Sequence, residues 1–255
     1  MPLTGAGTPI IRVSTLRIDD LNDATMFSWL ARLDQEERSR AAWFAFSHSR
    51  VKFVAARILA RWAIASVMDV EPAALSFRTE MRGKPVAYLG DSPAPISFNL
   101  SHTDGLVGVA VGEGAGLAIG FDLERILRPG SLDFLRRVFT ASERAWLDTV
   151  AAEDRPRETL TLWCLREAAV KATGEGLTAD QKAFWFTLAP PTIHGRPSVA
   201  LPRAASWFVD WRLIAGDFIA AIAVSPRSGT SQSCSPTVIW SIVAPLDLKF
   251  DTSTA

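Results

Sequence analysis

Apolar and polar positions alternate from residue 10 to 18 (IIRVSTLRI), which predicts a first strand. Residues 19–40 read as helical, with acids early and Leu30 and Leu33 on one face. Residues 49–68 (SRVKFVAARILARWAIASVM) predict a long helix whose core face carries Phe53, Ala56, Leu59 and Ala60. Arg57 and Arg61, four apart, are neighbours on it. RGKPVAYL carries a turn at Gly83 and Pro85. Residues 96–100 predict a strand ending at Ser101-His102, and LVGVAV (106–111) and LAIGFDL (117–123) predict buried strands. A helical stretch follows at 132–137, and Thr140 caps another helix just before acids. Residues 157–173 form the second strong helix, closed by Gly174. Residues 207–214 and 218–224 read as a terminal hairpin, and the Ser/Pro-rich 225–237 as a flexible connector. The last apolar run, 238–244, either adds a strand or packs down.

A faint echo links the halves: DGLVGVAV at 104–111 resembles DFIAAIAV at 217–224, and a strong helix precedes each at a similar interval. Two related α+β halves, split near residues 115–125, explain it; a chance match of two Ala/Val-rich strands is the alternative. The 255 residues are 48% hydrophobic, enough for a sizeable core. Lys and Arg total 27, as do Asp and Glu, so net charge is zero. That balance argues against broad capture of nucleic acid or anionic membrane, though a local basic pocket remains open. Cys164 and Cys234 lack metal-ligand spacing and read as thiols. The N-terminus shows no secretory leader, and no run reaches the ~18 apolar residues of a membrane span. A cytoplasmic location is the expectation.

The chemistry gathers in three short stretches. In GFDLERI (120–126), strand alternation puts Asp122 and Glu124 on one face and Leu123 on the other. Two carboxylates at a buried strand end repel unless a cation lies between them; alone, they also fit a solvated strand end. In WCLREAAVKATGEGL (163–177), Trp163, Glu167 and Lys171 are spaced by four and share a helix face. Alone, Glu167 and Lys171 make an ordinary surface pair worth ~0.3–0.5 kcal/mol, but a Trp in the same stripe fits the wall of a polar cleft better. In FNLSHTDG (98–105), His102 follows a strand end beside Ser101, Thr103 and Asp104. His48 and His194 have no comparable neighbours; a structural His102 and a functional one both remain open. One His among several acids admits zinc, but hard oxygen donors beside Lys171 favour Mg²⁺.

These motifs together resemble the 4′-phosphopantetheinyl transferases of the long, Sfp-like type. That family carries a Ser-His stretch, then Gly-Ile-Asp-Ile-Glu, then Trp-x-x-Lys-Glu-Ala-x-x-Lys-x-x-Gly-x-Gly-Leu. This chain has NLSHTDG, GFDLERI and WCLREAAVKATGEGL in that order, with RVKFVAARILAR and RGKP upstream and FIAAIAV downstream. The resemblance covers roughly residues 30–225.

It implies an α+β fold built as a pseudo-twofold pair of similar subdomains, with the active site in the cleft between them. Residues 1–118 would form the half nearer the nucleotide of coenzyme A, residues 119–226 the half with the metal and catalytic helix, and residues 227–255 a connector and short apolar segment. The implied reaction moves 4′-phosphopantetheine from coenzyme A to a serine of an apo acyl or peptidyl carrier protein and releases adenosine 3′,5′-bisphosphate (a holo-carrier-protein synthase). By motif position, Asp122, Glu124 and Glu167 match the metal-binding acids, and Glu167, Lys171 and Asp122 the catalytic set. Arg57, Gly83, Lys84, Ser101, His102, Arg166 and Lys171 match positions that contact coenzyme A. The partners implied are coenzyme A and a carrier protein, with neither nucleic acid nor membrane, and the enzyme would act as a monomer. Phe134, Leu135, Val138 and Phe139, ringed by Arg136 and Arg137, form a candidate docking patch for an acidic carrier, or simply core. The family usually has Lys where Arg166 stands, and Arg keeps the charge but changes the geometry. A His that some relatives carry early in the first strong helix aligns with Val51, which leaves His48, Arg50 and Lys52 as candidates for its contact with the 3′-phosphate.

Overall fold

A computed structural model of the chain describes residues 8–19, 21–79, 84–113, 116–126, 132–176, 180–198, 206–227 and 235–248. The chain divides into two compact units, one of Ile11–Ala115 with Val238–Ala255, the other of Met1–Ile10 with Gly116–Thr237.

The first unit begins with β1 (Ile10–Arg17) and three helices, α1 (Asp23–Ala31), α2 (Gln35–Ala42) and α3 (Ser47–Met68). The single helix expected over residues 19–40 is broken because Asp34 caps α2. Its side chain accepts from Glu37 N at 2.8 Å, and Glu37 returns a bond to Asp34 N at 3.3 Å. This reciprocal capping satisfies two backbone donors and ends the previous helix. Three short strands follow, β2 (Leu75–Thr79), β3 (Pro85–Leu89) and β4 (Ser92–Pro93), which make their own small sheet. The hairpin of β5 (Ile96–Thr103) and β6 (Leu106–Glu113) turns at Asp104-Gly105, where Gly105 has φ +89°, a conformation that glycine adopts without a Cβ clash. The α3 helix lies on β5 and β6, burying Val54, Ala55, Ile58 and Leu59.

The second unit starts with β7 (Leu117–Arg125), then α4 (Ala141–Thr149) and α5 (Arg155–Thr173). The hairpin of β8 (Phe184–Leu188) and β9 (Pro191–Gly195) precedes a second hairpin, β10 (Phe208–Ile214) with β11 (Phe218–Pro226). The sheet order is β10-β11-β7, antiparallel throughout, and α5 packs on β7 and β11.

The element order repeats. In the first unit, a strand, a long helix and a hairpin give β1-β6-β5; in the second, they give β7-β11-β10. The echoing segments are β6 and β11, the middle strand of each trio. Fully buried Val and Ala residues there follow from having a neighbour on either side and a helix on one face. The α+β class and the repeat agree with the expectation from sequence.

The C-terminal run is a true strand, β12 (Thr237–Val243), and it extends the first unit's sheet to β12-β1-β6-β5. Thr237 N donates to Pro9 O at 2.8 Å and Ser241 Oγ to Val13 O at 3.2 Å. Equal steps of four residues on both strands make the pairing parallel. Much of the expected flexible connector, residues 228–234, lies outside the described residues. Among the described residues, no helix is long and apolar enough to cross a membrane.

Candidate active site

Strand β7 supplies the carboxylates and α5 lies across them. Asp122 is buried and Glu124, two residues on, is half-buried, on the face that also holds Gly120. A Cβ on Gly120 would lie 1.8 Å from Ala168 O and 2.5 Å from Ala172 N. Strand and helix therefore meet backbone to backbone, and no residue but glycine fits. This contact lowers the Trp163, Glu167 and Lys171 stripe onto the acids. Trp163 Nε1 donates to Glu124 Oε1 at 3.4 Å. Lys171 Nζ donates to Asp122 Oδ1 at 2.6 Å and to Phe121 O at 3.1 Å.

Burial raises the pKa of Glu167, and the Asp122 charge pushes it further; Lys171 and Arg166 oppose both. Cys164, fully buried one turn away, has its thiol pKa raised well above the usual value by burial, then by Asp122 and Glu124. It is therefore a neutral thiol, weakly bonded to Ile219 O at 3.9 Å, and no thiolate ligand. The donor set left is carboxylate oxygen, which suits a hard cation such as Mg²⁺ rather than zinc. The mutual repulsion felt at Glu167 is what such a cation relieves. Among the described residues, no three His, Cys, Asp or Glu side chains are drawn together at ligand spacing; Asp122 is neutralised by Lys171 instead.

Comparison with known proteins bears on the same segments. The family profile "4′-phosphopantetheinyl transferase superfamily" matches residues 118–223, and "4′-phosphopantetheinyl transferase, N-terminal" matches residues 22–113. The 4′-phosphopantetheinyl transferase HetI of Nostoc sp. is 31% identical over 198 residues, covering 76% of this chain and 79% of the relative. This chain belongs to the 4′-phosphopantetheinyl transferase superfamily. A phosphopantetheinyl transferase of Thraustochytrium sp. is 28% identical over 242 residues, 89% of this chain and 82% of the relative. The Sfp transferase of Bacillus subtilis is 26% identical over 181 residues, 70% and 75%.

Within this transferase fold, the predicted coenzyme A contacts fare differently. Arg166 is 0% exposed, enclosed by the second unit's own core. Its Nη2 lies 2.7 Å from each Glu143 oxygen. Nothing local in the sequence marks this partner, 23 residues away. Arg57, Lys84, Ser101 and His102 belong to the first unit. Arg57 is mostly buried between the rings of Phe53 and Phe77, with Nε 3.6 Å from Glu37. Its Nη1 has no hydrogen-bond partner among the described residues. Burial lowers the Arg57 pKa from its ordinary value. Ser101 is buried and His102 exposed, as successive residues of β5 require. Lys84 is half-buried just before β3, and Gly83 lies outside the described residues. Near Val51, Lys52 pairs with Asp104 at 2.7 Å, Arg50 donates to Ala41 O and Phe44 O, and His48 stacks on Phe46.

The expected docking patch is mostly core. Leu135 and Phe139 are buried and Val138 half-buried, while Phe134 is 63% exposed. Trp146, on α4 and absent from the expected patch, is also exposed. Arg136 pairs with Asp148 at 2.7 Å and Arg137 is exposed.

Proposed function

We propose that this transferase moves 4′-phosphopantetheine from coenzyme A to a serine hydroxyl of an apo acyl or peptidyl carrier protein, in a Mg²⁺-dependent reaction that leaves adenosine 3′,5′-bisphosphate. The observation that carries the reading is the meeting of β7 and α5, where Lys171 bonds Asp122 and Trp163 bonds Glu124 with Glu167 on the same helix stripe, in the segment that matches the family.

Phosphoryl transfer asks a protein mainly for positioning and charge neutralisation. Asp122, Glu124 and Glu167 would hold Mg²⁺, which supplies positive charge to the pyrophosphate of coenzyme A. Glu167 is the acid most readily assigned as general base toward the incoming serine, directly or through water. Lys171, bonded to Asp122 and to the Phe121 carbonyl, would neutralise charge developing on the phosphates. Arg57, Lys84 and His102, with Ser101, would serve the nucleotide end of coenzyme A. The nucleophile comes from the carrier, so the chain needs none of its own. Phe134 and Arg137 offer an apolar anchor and a positive rim to an acidic carrier.

The test is intact-mass measurement of an apo carrier protein after incubation with the enzyme, coenzyme A and Mg²⁺. A gain of one phosphopantetheinyl group supports the proposal. Coenzyme A cleavage without carrier labelling points to a phosphodiesterase, and binding without either reaction points to a non-catalytic module; both outcomes reject it.

A further inference from the structure

Arg166 and Glu143 form the most completely enclosed ion pair described in the chain, at 0% and 1% side-chain exposure. The hydrogen bonds of the pair reach several parts of the second unit. Glu143 Oε1 accepts from Phe186 N at 3.0 Å, on β8. Glu143 Oε2 accepts from Thr140 N at 2.8 Å and Thr140 Oγ1 at 2.9 Å, at the start of α4. Arg166 Nη2 donates to both oxygens at 2.7 Å, and Nη1 donates to Phe184 O at 3.2 Å and to Gln181 O. The guanidinium lies 4.9 Å from the Phe184 ring centre, with Phe139 and Phe186 at 5.8 Å. One guanidinium–carboxylate unit thus ties α4, β8 and α5 together.

Such a pair is a poor source of net stability. Desolvation of both ions offsets most of their attraction, and apolar replacements of similar volume are often neutral or better. What it fixes is geometry, because Nη2 holds both carboxylate oxygens while Nη1 of the same rigid plane holds the Phe184 and Gln181 carbonyls. The helix it fixes is the one that carries Glu167, the next residue. On its other side α5 is set by Gly120 against β7, so the helix is clamped between two rigid contacts.

We propose that Glu143 and Arg166 are positioning residues: they set the rotation and height of α5 so that Glu167 and Lys171 stand over Asp122. The pair acts through α5 and touches no substrate. This rests on the transferase reading above. A direct contact of Arg166 with coenzyme A, the role its motif position implied, makes the opposite kinetic prediction.

The experiment compares wild type with Arg166→Lys, Glu143→Gln and the double variant, scoring kcat, KM for coenzyme A and the folded fraction by circular dichroism. Arg166→Lys keeps the charge but replaces the rigid plane that reaches Glu143 and the Phe184 carbonyl with one ammonium on a flexible stem. Glu143→Gln keeps an acceptor for the backbone donors. Each single variant should fold, lose kcat by on the order of tenfold, and keep KM for coenzyme A within about twofold. The double variant should lose little beyond the worse single, because one interaction is broken in all three. A raised KM with unchanged kcat would overturn the proposal in favour of substrate contact. An unchanged kcat in folded Arg166→Lys would overturn it in favour of a purely structural pair. Should Glu143→Gln fail to fold, Arg166→Lys alone decides by the same two criteria. An inactive wild type rejects the transferase reading itself and this proposal with it, a result distinct from an active wild type matched by its variants.

Discussion

Gly120→Ala probes the backbone contact on which the acid cluster depends. The added Cβ would sit 1.8 Å from Ala168 O, whereas real Cβ atoms essentially never come within 3.0 Å of such an atom. Both atoms are backbone, so no side chain can swing away; α5 must retreat from β7 by more than an ångström. Lys171 Nζ, now 2.6 Å from Asp122 Oδ1, would be carried beyond hydrogen-bonding range. Overpacking of this kind costs ~1–3 kcal/mol. In a chain of this size it should lower Tm by about 2–4 °C per kcal/mol. Catalysis should suffer more, because a misplacement of ~1 Å costs on the order of 100-fold. Differential scanning fluorimetry gives the first quantity, and carrier labelling at saturating coenzyme A the second. A Gly120→Ala protein with wild-type Tm and wild-type kcat would refute the claim that this contact sets the site.

Three further outcomes follow from the geometry. Lys171→Met leaves buried Asp122 without its cation, so transfer should fall by ~10²–10³-fold while the protein still folds, checked by kcat beside circular dichroism. Phe134→Ala removes an exposed ring, so Tm should stay within about 1 °C and KM for the carrier should rise with KM for coenzyme A unchanged. Mg²⁺ at about 100 times its Kd should stabilise the folded state by ~2.7 kcal/mol, read as a rise in Tm that EDTA reverses and Asp122→Asn abolishes.

The sequence revealed the site where local rules suffice. Period-two alternation put Asp122 and Glu124 on one face of β7, and four-residue spacing put Trp163, Glu167 and Lys171 on one face of α5. The bonds from Trp163 to Glu124 and from Lys171 to Asp122 join those stripes as their patterns imply. Gly120 lies on the same strand face, yet its role needs the helix in place, since only Ala168 and Ala172 make a Cβ impossible there. The Glu143 partner of Arg166 was not legible, because it lies 23 residues away. Glu143 at the third position of α4 looks like an ordinary exposed capping residue, and it does cap Thr140, but the same carboxylate also faces inward. Asp34 was read as helix interior for a related reason: its capping bond to Glu37 is local, but residues 19–40 show enough periodicity to hide it. The strand β12 could not be placed at all, because parallel pairing with β1 joins residues more than two hundred positions apart.

Asp122, Glu124 and Glu167, with Lys171, are the residues proposed to perform phosphopantetheinyl transfer. Their role is tested most directly by intact mass of an apo carrier protein after incubation with coenzyme A, Mg²⁺ and either the wild type, Glu167→Gln or Asp122→Asn. The wild type should add one phosphopantetheinyl group and neither variant any, with both variants folded by circular dichroism. Full labelling by either variant, or none by the wild type across fatty-acid, polyketide and peptide carriers, would contradict it.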